Sequence, residues 1–298
     1  MDIRTSKCDN ISEVSVRRSE NNAVNIAKII MAILVVAFHT DAFGDISEEF
    51  NFFVKEILCR VPVPTFFAYA GYYLKLKVEK TNDAKKVIHN YVKRLAIVYF
   101  AWSLIYFPIQ VMNYYANGVT GLTLLLKVLR DFIFVGFKQY WYLLALIIGV
   151  VIVCMLKKIF NIRVVFVCCA LLYTVCLLAN GYYGIYLLVF EEAEMVRTFF
   201  GALARVLQTT RNGLFFAPIF IAMGYFFKEK EGHLQKYIIL LMSSILFRLI
   251  EVFVVSELML AKGYTMMFSI IPITYLILCI TINTKSKYVI GIILNIIV

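Results

Sequence analysis

The stretch Asn25-Ile-Ala-Lys-Ile-Ile-Met-Ala-Ile-Leu-Val-Val-Ala-Phe-His-Thr-Asp41 is apolar enough and long enough to cross a membrane as a helix. Its two basic side chains, Lys28 and His39, are eleven positions apart. Because an α-helix has about 3.6 residues per turn, both lie on one face, roughly 16 Å apart along the axis. An ionisable group inside a membrane segment is costly and indicates a functional site. The spacing is equally compatible with a His39 that lies at the membrane interface and reaches water.

The rest of the chain has the composition of an integral membrane protein. Hydrophobic residues make up 62% of the 298 residues, and the mean hydropathy of +0.81 is far above that of a soluble domain. Segments that alternate apolar and polar residues are almost absent, which argues against an outer-membrane barrel. We therefore predict an all-α fold, a polytopic transmembrane helical bundle of roughly eight to ten spans. The predicted spans are Asn25–Phe43, Arg60–Leu76, Leu95–Met112, Tyr140–Leu156, Val164–Leu178, Leu214–Phe227, Tyr237–Val255, Met266–Ile282 and a run from Tyr288.

Two parts of the chain are expected, a flexible cytoplasmic tail over residues 1–22 and a transmembrane domain over residues 23–298. The run from Tyr288 has about eleven residues, too few to cross, so a truncation before a further C-terminal domain is expected. Residues 122–137 and 185–207 combine apolar stripes with charges, which is typical of short interfacial or re-entrant helices, although one could be an extra span. The seven cysteines include no Cys-x-x-Cys pair, and we predict neither a disulfide framework nor a metal site.

The positive charge is concentrated between the predicted spans. The net charge is +11, and Lys and Arg cluster in the loops 75–94, 157–163, 228–236 and 285–287. Since basic loops favour the cytoplasmic side, we attribute this excess to topology and predict no nucleic-acid partner. The same rule predicts a cytoplasmic N-terminus, which places Lys28 toward the cytoplasm and His39 toward the outer face.

Several side chains at the predicted outer side are candidates for substrate binding. Arg60 opens the second span just before two prolines and could recognise an anion or a carboxylate, or could simply snorkel to the interface. The prolines suggest a distorted entry that leaves backbone groups available to a ligand. Arg211 and Asn212 precede a glycine at a span end and line an outer cavity or form an ordinary helix start. Tyr69 and Trp141 complete the predicted substrate-binding set, with helix packing and an aromatic belt as their respective alternatives.

Four further charged residues have two possible roles each. Lys93 and Arg94 enter the third span from the predicted cytoplasmic side and are either positive-inside anchors or a site for a phosphate-bearing donor. Arg248 and Glu251 lie three positions apart in one span and therefore share a helix face. We predict that they form an intramembrane ion pair, with a polar pathway as the alternative.

The chain resembles the acyltransferase 3 family of multi-span membrane proteins. The resemblance rests on the Lys28 to His39 spacing, on Val61-Pro-Val-Pro-Thr-Phe-Phe-Ala-Tyr-Ala-Gly71, on Lys93-Arg-Leu95 and on Tyr140-Trp-Tyr-Leu143. It implies that His39 is a catalytic base, assisted by Lys28, in moving an acyl group from acyl-CoA to a hydroxyl on an outer-facing sugar. The chain departs from the family pattern at two places: Lys28 stands where the family usually has Arg, and Tyr69-Ala-Gly71 replaces its usual Ser-Gly step.

Within that family, the chain looks most like the membrane domains of membrane-bound serine racemases from vancomycin-resistant bacteria. The stretches that carry this likeness are Thr210-Arg-Asn-Gly-Leu-Phe-Phe-Ala-Pro-Ile-Phe220 and Trp141-Tyr-Leu-Leu-Ala-Leu-Ile-Ile-Gly149. It implies a multi-pass protein of the bacterial cell membrane that takes up L-serine for D-serine production in altered peptidoglycan. No cofactor is expected in this chain, because pyridoxal phosphate would belong to a missing racemase domain, through which a homodimer could form.

Three functions therefore stay open at this point. In the first, L-serine enters an outer cavity lined by His39, Arg60 and Arg211, with Arg60 on the substrate carboxylate. In the second, the protein is a membrane O-acyltransferase with His39 as base and acyl-CoA as co-substrate on the cytoplasmic side, near Lys28, Lys93 and Arg94. In the third, the chain is a passive anchor for a racemase.

Overall fold

The computed structural model describes residues 22–137, 140–190, 192–229 and 234–284 of the chain, and every regular segment within them is helical. Twelve α-helices lie in this part of the chain. They are α1 (Asn22–Thr40), α2 (Glu48–Phe53), α3 (Pro62–Glu79), α4 (Ala84–Ala116), α5 (Gly121–Arg130), α6 (Trp141–Ile159), α7 (Ile162–Cys176), α8 (Tyr183–Val189), α9 (Glu194–Leu207), α10 (Ala217–Tyr225), α11 (Leu234–Glu257) and α12 (Ile270–Asn283). Three π-helical turns, Val54–Leu58, Asp131–Val135 and Leu177–Gly181, follow α2, α5 and α7.

The helices confirm the predicted class of polytopic membrane protein. Within the described residues, five helical segments are long and apolar enough to cross a membrane: α1, α4, α6, α7 with its π-helical turn, and α11. The other three predicted spans that fall on these residues contain the shorter or more charged helices α3, α10 and α12. The run from Tyr288 and almost all of the predicted tail lie outside the described residues. The stretches 122–137 and 185–207 form short helices, α5, α8 and α9 with a π-helical turn.

The chain divides into two compact units, which are described separately. Unit 1 comprises Met1–Phe66, Lys228–Leu249 and Ile271–Val298, and unit 2 comprises Phe67–Phe227 and Ile250–Ile270. In unit 1, the segment between α1 and α3 folds into a turn, helix α2 and the π-helical turn Val54–Leu58, which packs against α1. This segment brings its charged side chains close to the end of α1.

Helix α10 is the core of unit 2. Each of its nine residues is buried, which is typical of a helix that is apolar on every side and surrounded by neighbours. A Cβ on Gly71 of α3 would lie 2.2 Å from the Ile221 carbonyl oxygen, and one on Gly224 would lie 1.8 Å from the Ala68 carbonyl oxygen. Only glycine permits such an approach, so α3 and α10 pack backbone to backbone as membrane helices do at small residues.

Candidate functional site

His39 lies in the last turn of α1 with its side chain exposed. Its ring meets the Phe38 ring edge to face, with centroids 5.3 Å apart. The guanidinium carbon of Arg60 lies 4.4 Å above the centre of the same Phe38 ring. His39 and Arg60 therefore both contact the same aromatic side chain, that of Phe38. Lys28 is half-buried and lies near the start of α1.

Arg60 is bound through one edge of its guanidinium group to Glu56. Arg60 Nε donates to Glu56 Oε2 and Arg60 Nη2 donates to Glu56 Oε1, both at 2.8 Å. The two side chains are only 15% and 12% exposed. A guanidinium carries five N–H donors in a planar fork, so the edge formed by Nη1 and Nη2 still has donors. In the described part of the chain, no protein acceptor takes them.

The backbone between α2 and α3 explains how Glu56 reaches Arg60. Glu56 lies in the π-helical turn Val54–Leu58, and Arg248, which is fully buried, donates from Nη2 to the Glu56 carbonyl oxygen at 2.5 Å. Helix α3 then begins at Pro62. Both prolines, Pro62 and Pro64, lie in its first turn, where a missing N–H costs nothing, so they start the helix instead of distorting it.

A second ion pair closes the same loop on its exposed side. Lys55 pairs with the Asp41 carboxylate, and Asn51 Nδ2 donates to Asp41 Oδ1 at 2.9 Å. The hydrogen bond from Lys55, with a smaller contribution from Asn51, lowers the pKa of Asp41 below its usual value. Asp41 has a positive φ of 52°, which reverses the chain directly after α1. The loop over the end of α1 is therefore held by two ion pairs, Asp41–Lys55 and Glu56–Arg60.

The other predicted substrate-binding residues lie in unit 2. The guanidinium of Arg211 lies 4.6 Å over the Trp141 ring, which is a cation–π arrangement. The Asn212 side chain is engaged locally: its oxygen accepts from the backbone N–H groups of Leu214 and Phe215, and its amide donates to the Thr209 carbonyl. Asn212 therefore stabilises the turn before α10. Tyr69 is buried with 2% of its surface exposed.

Arg94 lines a groove between the end of α3 and the start of α4. The groove has a volume of about 620 Å³. Its cationic wall consists of Lys77, Lys80 and Arg94, and its other lining residues are Val87, Asn90, Tyr91, Leu95 and Val98. Lys93 is exposed and does not line it. The groove thus combines positive charge with an apolar floor.

Arg248 and Glu251, the two residues of α11 predicted to pair, each have polar partners. Arg248 holds the Glu56 carbonyl as described above, and Glu251 accepts hydrogen bonds from Tyr182, Phe268 and Ser269. Their predicted ion pair stays a prediction. Glu56 was absent from the predicted site, although it precedes Arg60 by four positions, the spacing that pairs opposite charges on a helix.

Comparison with known proteins gives a consistent family. The acyltransferase 3 family, described as an acyltransferase domain, matches residues 21–292. An amino-acid racemase from Enterococcus faecalis is 32% identical over 216 residues, covering 72% of this chain and 29% of that protein. A serine/alanine racemase from Enterococcus gallinarum is 26% identical over 238 residues, covering 78% of this chain and 33% of that protein. The aligned part is thus about a third of these relatives, and no solved structure matches.

Proposed function

Since this chain belongs to the acyltransferase 3 family, we propose that it is the membrane domain of an amino-acid racemase and takes up L-serine. The D-serine made from it would serve vancomycin resistance. Racemisation and its pyridoxal phosphate are assigned to another part of such a protein. The racemase names of the relatives support this class of substrate, and the surroundings of Arg60 support its recognition.

The proposal rests on the guanidinium group of Arg60, because Glu56 hydrogen-bonds only one of its edges. Glu56 occupies the Nε and Nη2 edge, which fixes the plane of the group and leaves the Nη1 and Nη2 edge for another carboxylate. Arginine favours such two-point recognition of a carboxylate because its fork matches the spacing of the two oxygens. Phe38 under the guanidinium restricts its rotation further.

An amino acid is a zwitterion, and the pair supplies both complementary charges. The substrate carboxylate binds the open edge of Arg60, and the ammonium group binds the lone pairs that Glu56 retains. His39, next to Phe38, contacts the hydroxyl side chain or relays a proton to it. By the positive-inside rule we place this site at the outer face, where L-serine would enter.

Uptake of labelled L-serine into proteoliposomes tests the proposal. Wild-type protein should accumulate label above empty liposomes, and His39→Ala should lower the rate, because the exposed imidazole is lost while the ion pairs of the loop remain. Thr40→Ala, at the neighbouring exposed position, is the matched control and should retain the wild-type rate. Wild-type uptake no greater than that of empty liposomes would rule out transport and leave acyl transfer and the anchoring role.

The basic groove favours a second candidate function, membrane O-acyl transfer. Lys77, Lys80 and Arg94 offer three positive charges to the phosphates of acyl-CoA, and Val87, Leu95 and Val98 offer an apolar surface to the rest of the donor. His39 would then act as the general base on a hydroxyl acceptor, with Lys28 and Lys93 as further candidates near the donor.

Acyl-CoA turnover by the purified protein discriminates between the two functions. If the groove binds the donor, Arg94→Ala should raise the KM for acyl-CoA about tenfold, the effect of losing one charged hydrogen bond of about 1.5 kcal/mol. Lys85→Ala, an exposed change in the first turn of α4 outside the groove, should leave it unchanged. Absence of hydrolysis and transfer by the wild type would exclude this second function.

A further inference from the structure

Two interruptions of regular helix meet in unit 2. One is the π-helical turn Leu177–Gly181 and the other is the non-helical segment between α11 and α12. The backbone N–H of Lys262 donates to the Asn180 carbonyl at 2.9 Å, and a Cβ on Gly181 would lie 1.9 Å from the Met266 carbonyl oxygen. Irregular backbone at membrane depth is tolerated where protein buries it or where it forms a binding site, as in the broken helices of transporters.

The Glu251 carboxylate lies at this junction and is 7% exposed. Oε1 accepts from the Tyr182 hydroxyl and from the Phe268 N–H at 2.8 Å. Oε2 accepts from the Ser269 hydroxyl and from the Ser269 N–H at 3.1 Å. Glu251 thus accepts hydrogen bonds from the two N–H groups just before α12. Through four neutral donors it connects the end of the π-helical turn Leu177–Gly181 to the segment between α11 and α12.

Among the described residues of unit 2, a second carboxylate, that of Asp131, is also buried but has a different environment. Asp131 is 3% exposed. Its Oδ1 accepts hydrogen bonds from Arg130 Nε at 3.0 Å and from Arg130 Nη2 at 2.7 Å, and its Oδ2 accepts from Gln110 and Tyr114. A guanidinium keeps its proton and offers only donors, so Asp131 is paired with a fixed positive charge. The two sites show that unit 2 compensates one buried carboxylate with a fixed positive charge and the other with neutral groups.

The donors around Glu251 can serve either protonation state. Hydroxyl groups both donate and accept, so the Tyr182 and Ser269 hydroxyls, which donate to the carboxylate, also carry lone pairs that a protonated Glu251 could use. Binding one proton changes the carboxylate from −1 to neutral and lowers the cost of its burial. An ionisable group inside a membrane segment whose partners are hydroxyl and backbone groups is a candidate for proton transport.

We propose that Glu251 binds and releases the proton that couples to L-serine uptake, with Tyr182 and Ser269 as its reversible partners; this inference rests on the proposed function. A proton from the outer solution binds the carboxylate as serine enters, and the same proton leaves to the cytoplasm. The charged and titratable groups of the surrounding elements include Arg248 and Glu257 in α11 itself, and Tyr173 and Cys176 in α7, which contact Met267 and Met266. They also include Tyr182 and Tyr183 beside the π-helical turn, and Lys262 and Tyr264 after α11.

Two transport assays on the full chain in proteoliposomes separate coupling from serine binding. In exchange, labelled serine enters against unlabelled serine without a gradient, and in driven uptake an inward proton gradient supplies the energy. Glu251→Gln imitates the protonated state, so it should lose driven uptake and keep exchange. Glu257→Gln, an exposed carboxylate in the same helix, should keep both. Driven uptake by Glu251→Gln at the wild-type rate would overturn the proposal.

Infrared difference spectroscopy after a pH jump provides a readout that does not depend on transport. The wild type should show a band of a newly protonated buried carboxyl, lost in Glu251→Gln and retained in Glu257→Gln. Loss of the carboxyl band in Glu251→Gln supports Glu251 as the proton site, even if this variant shows neither exchange nor driven uptake. A carboxyl band that persists in Glu251→Gln would overturn the proposal. If the wild type shows the band but neither exchange nor driven uptake, the proton site stands and the serine function fails.

Discussion

Replacing Arg60 by alanine is expected to weaken L-serine binding by about a hundredfold, the largest functional effect in unit 1. Truncating one partner of a buried, hydrogen-bonded charge pair costs about 2–5 kcal/mol, and each 1.4 kcal/mol is a factor of ten. The change removes the fork that would hold the substrate carboxylate and leaves Glu56 without its two charged hydrogen bonds. The measurement is the concentration dependence of labelled serine uptake or exchange.

Three variants show whether the loss arises from recognition. Arg60→Lys retains the charge but not the fork and should recover only part of the affinity. Glu56→Gln keeps the guanidinium and should weaken binding of the ammonium group. Arg163→Ala, at an exposed arginine in the first turn of α7, should leave serine affinity unchanged. Wild-type affinity in folded Arg60→Ala would exclude Arg60 from the substrate site.

Arg130→Met is expected to destabilise the protein by about 3–5 kcal/mol, the largest effect on stability, because it leaves the buried Asp131 carboxylate without its counter-charge. The side chains of Arg130 and Asp131 are 16% and 4% exposed, so water replaces little of the lost interaction. Unfolding in detergent can be followed with a thiol-reactive dye, since Cys169 and Cys176 are fully buried in unit 2.

The double variant Arg130→Met with Asp131→Leu distinguishes two contributions to the free energy of unfolding. One is the stabilisation by the ion pair, and the other is the destabilisation by a buried charge without its partner. Replacing both partners by apolar residues of similar size is often close to neutral. We therefore expect the double variant to recover much of the stability lost by Arg130→Met. Equal destabilisation in both variants would show that the loss comes from packing around Gln110 and Tyr114.

The position of each membrane helix was predictable because hydropathy is a local property of the chain. All eight predicted spans within the described residues contain a helix, and the run Leu214–Phe227 contains the buried helix α10. The interruptions were harder to predict. The π-helical turn Leu177–Gly181 follows an apolar run with little local sign of a break, and it is stabilised by contacts with residues 262–267, far along the chain.

The candidate site was predictable only in part. His39 and Arg60 stand out as basic residues at span ends, and the structure places both around Phe38. Asn212 looked like a ligand because it is a polar residue at a span end, but its amide stabilises the turn before α10. A sequence pattern shows that a polar group is available, whereas the use of its hydrogen bonds depends on the neighbouring backbone.

The sequence by itself determined that this protein is a multi-span helical membrane protein of the acyltransferase 3 family, because apolar runs and family motifs are read along the chain. Only the tertiary structure decided which charges meet. Arg248 donates to the backbone carbonyl of Glu56 from 192 positions away, while the Glu56 side chain binds one edge of Arg60. A buried charged group must be paired or hydrogen-bonded, and burial is a property of the folded chain.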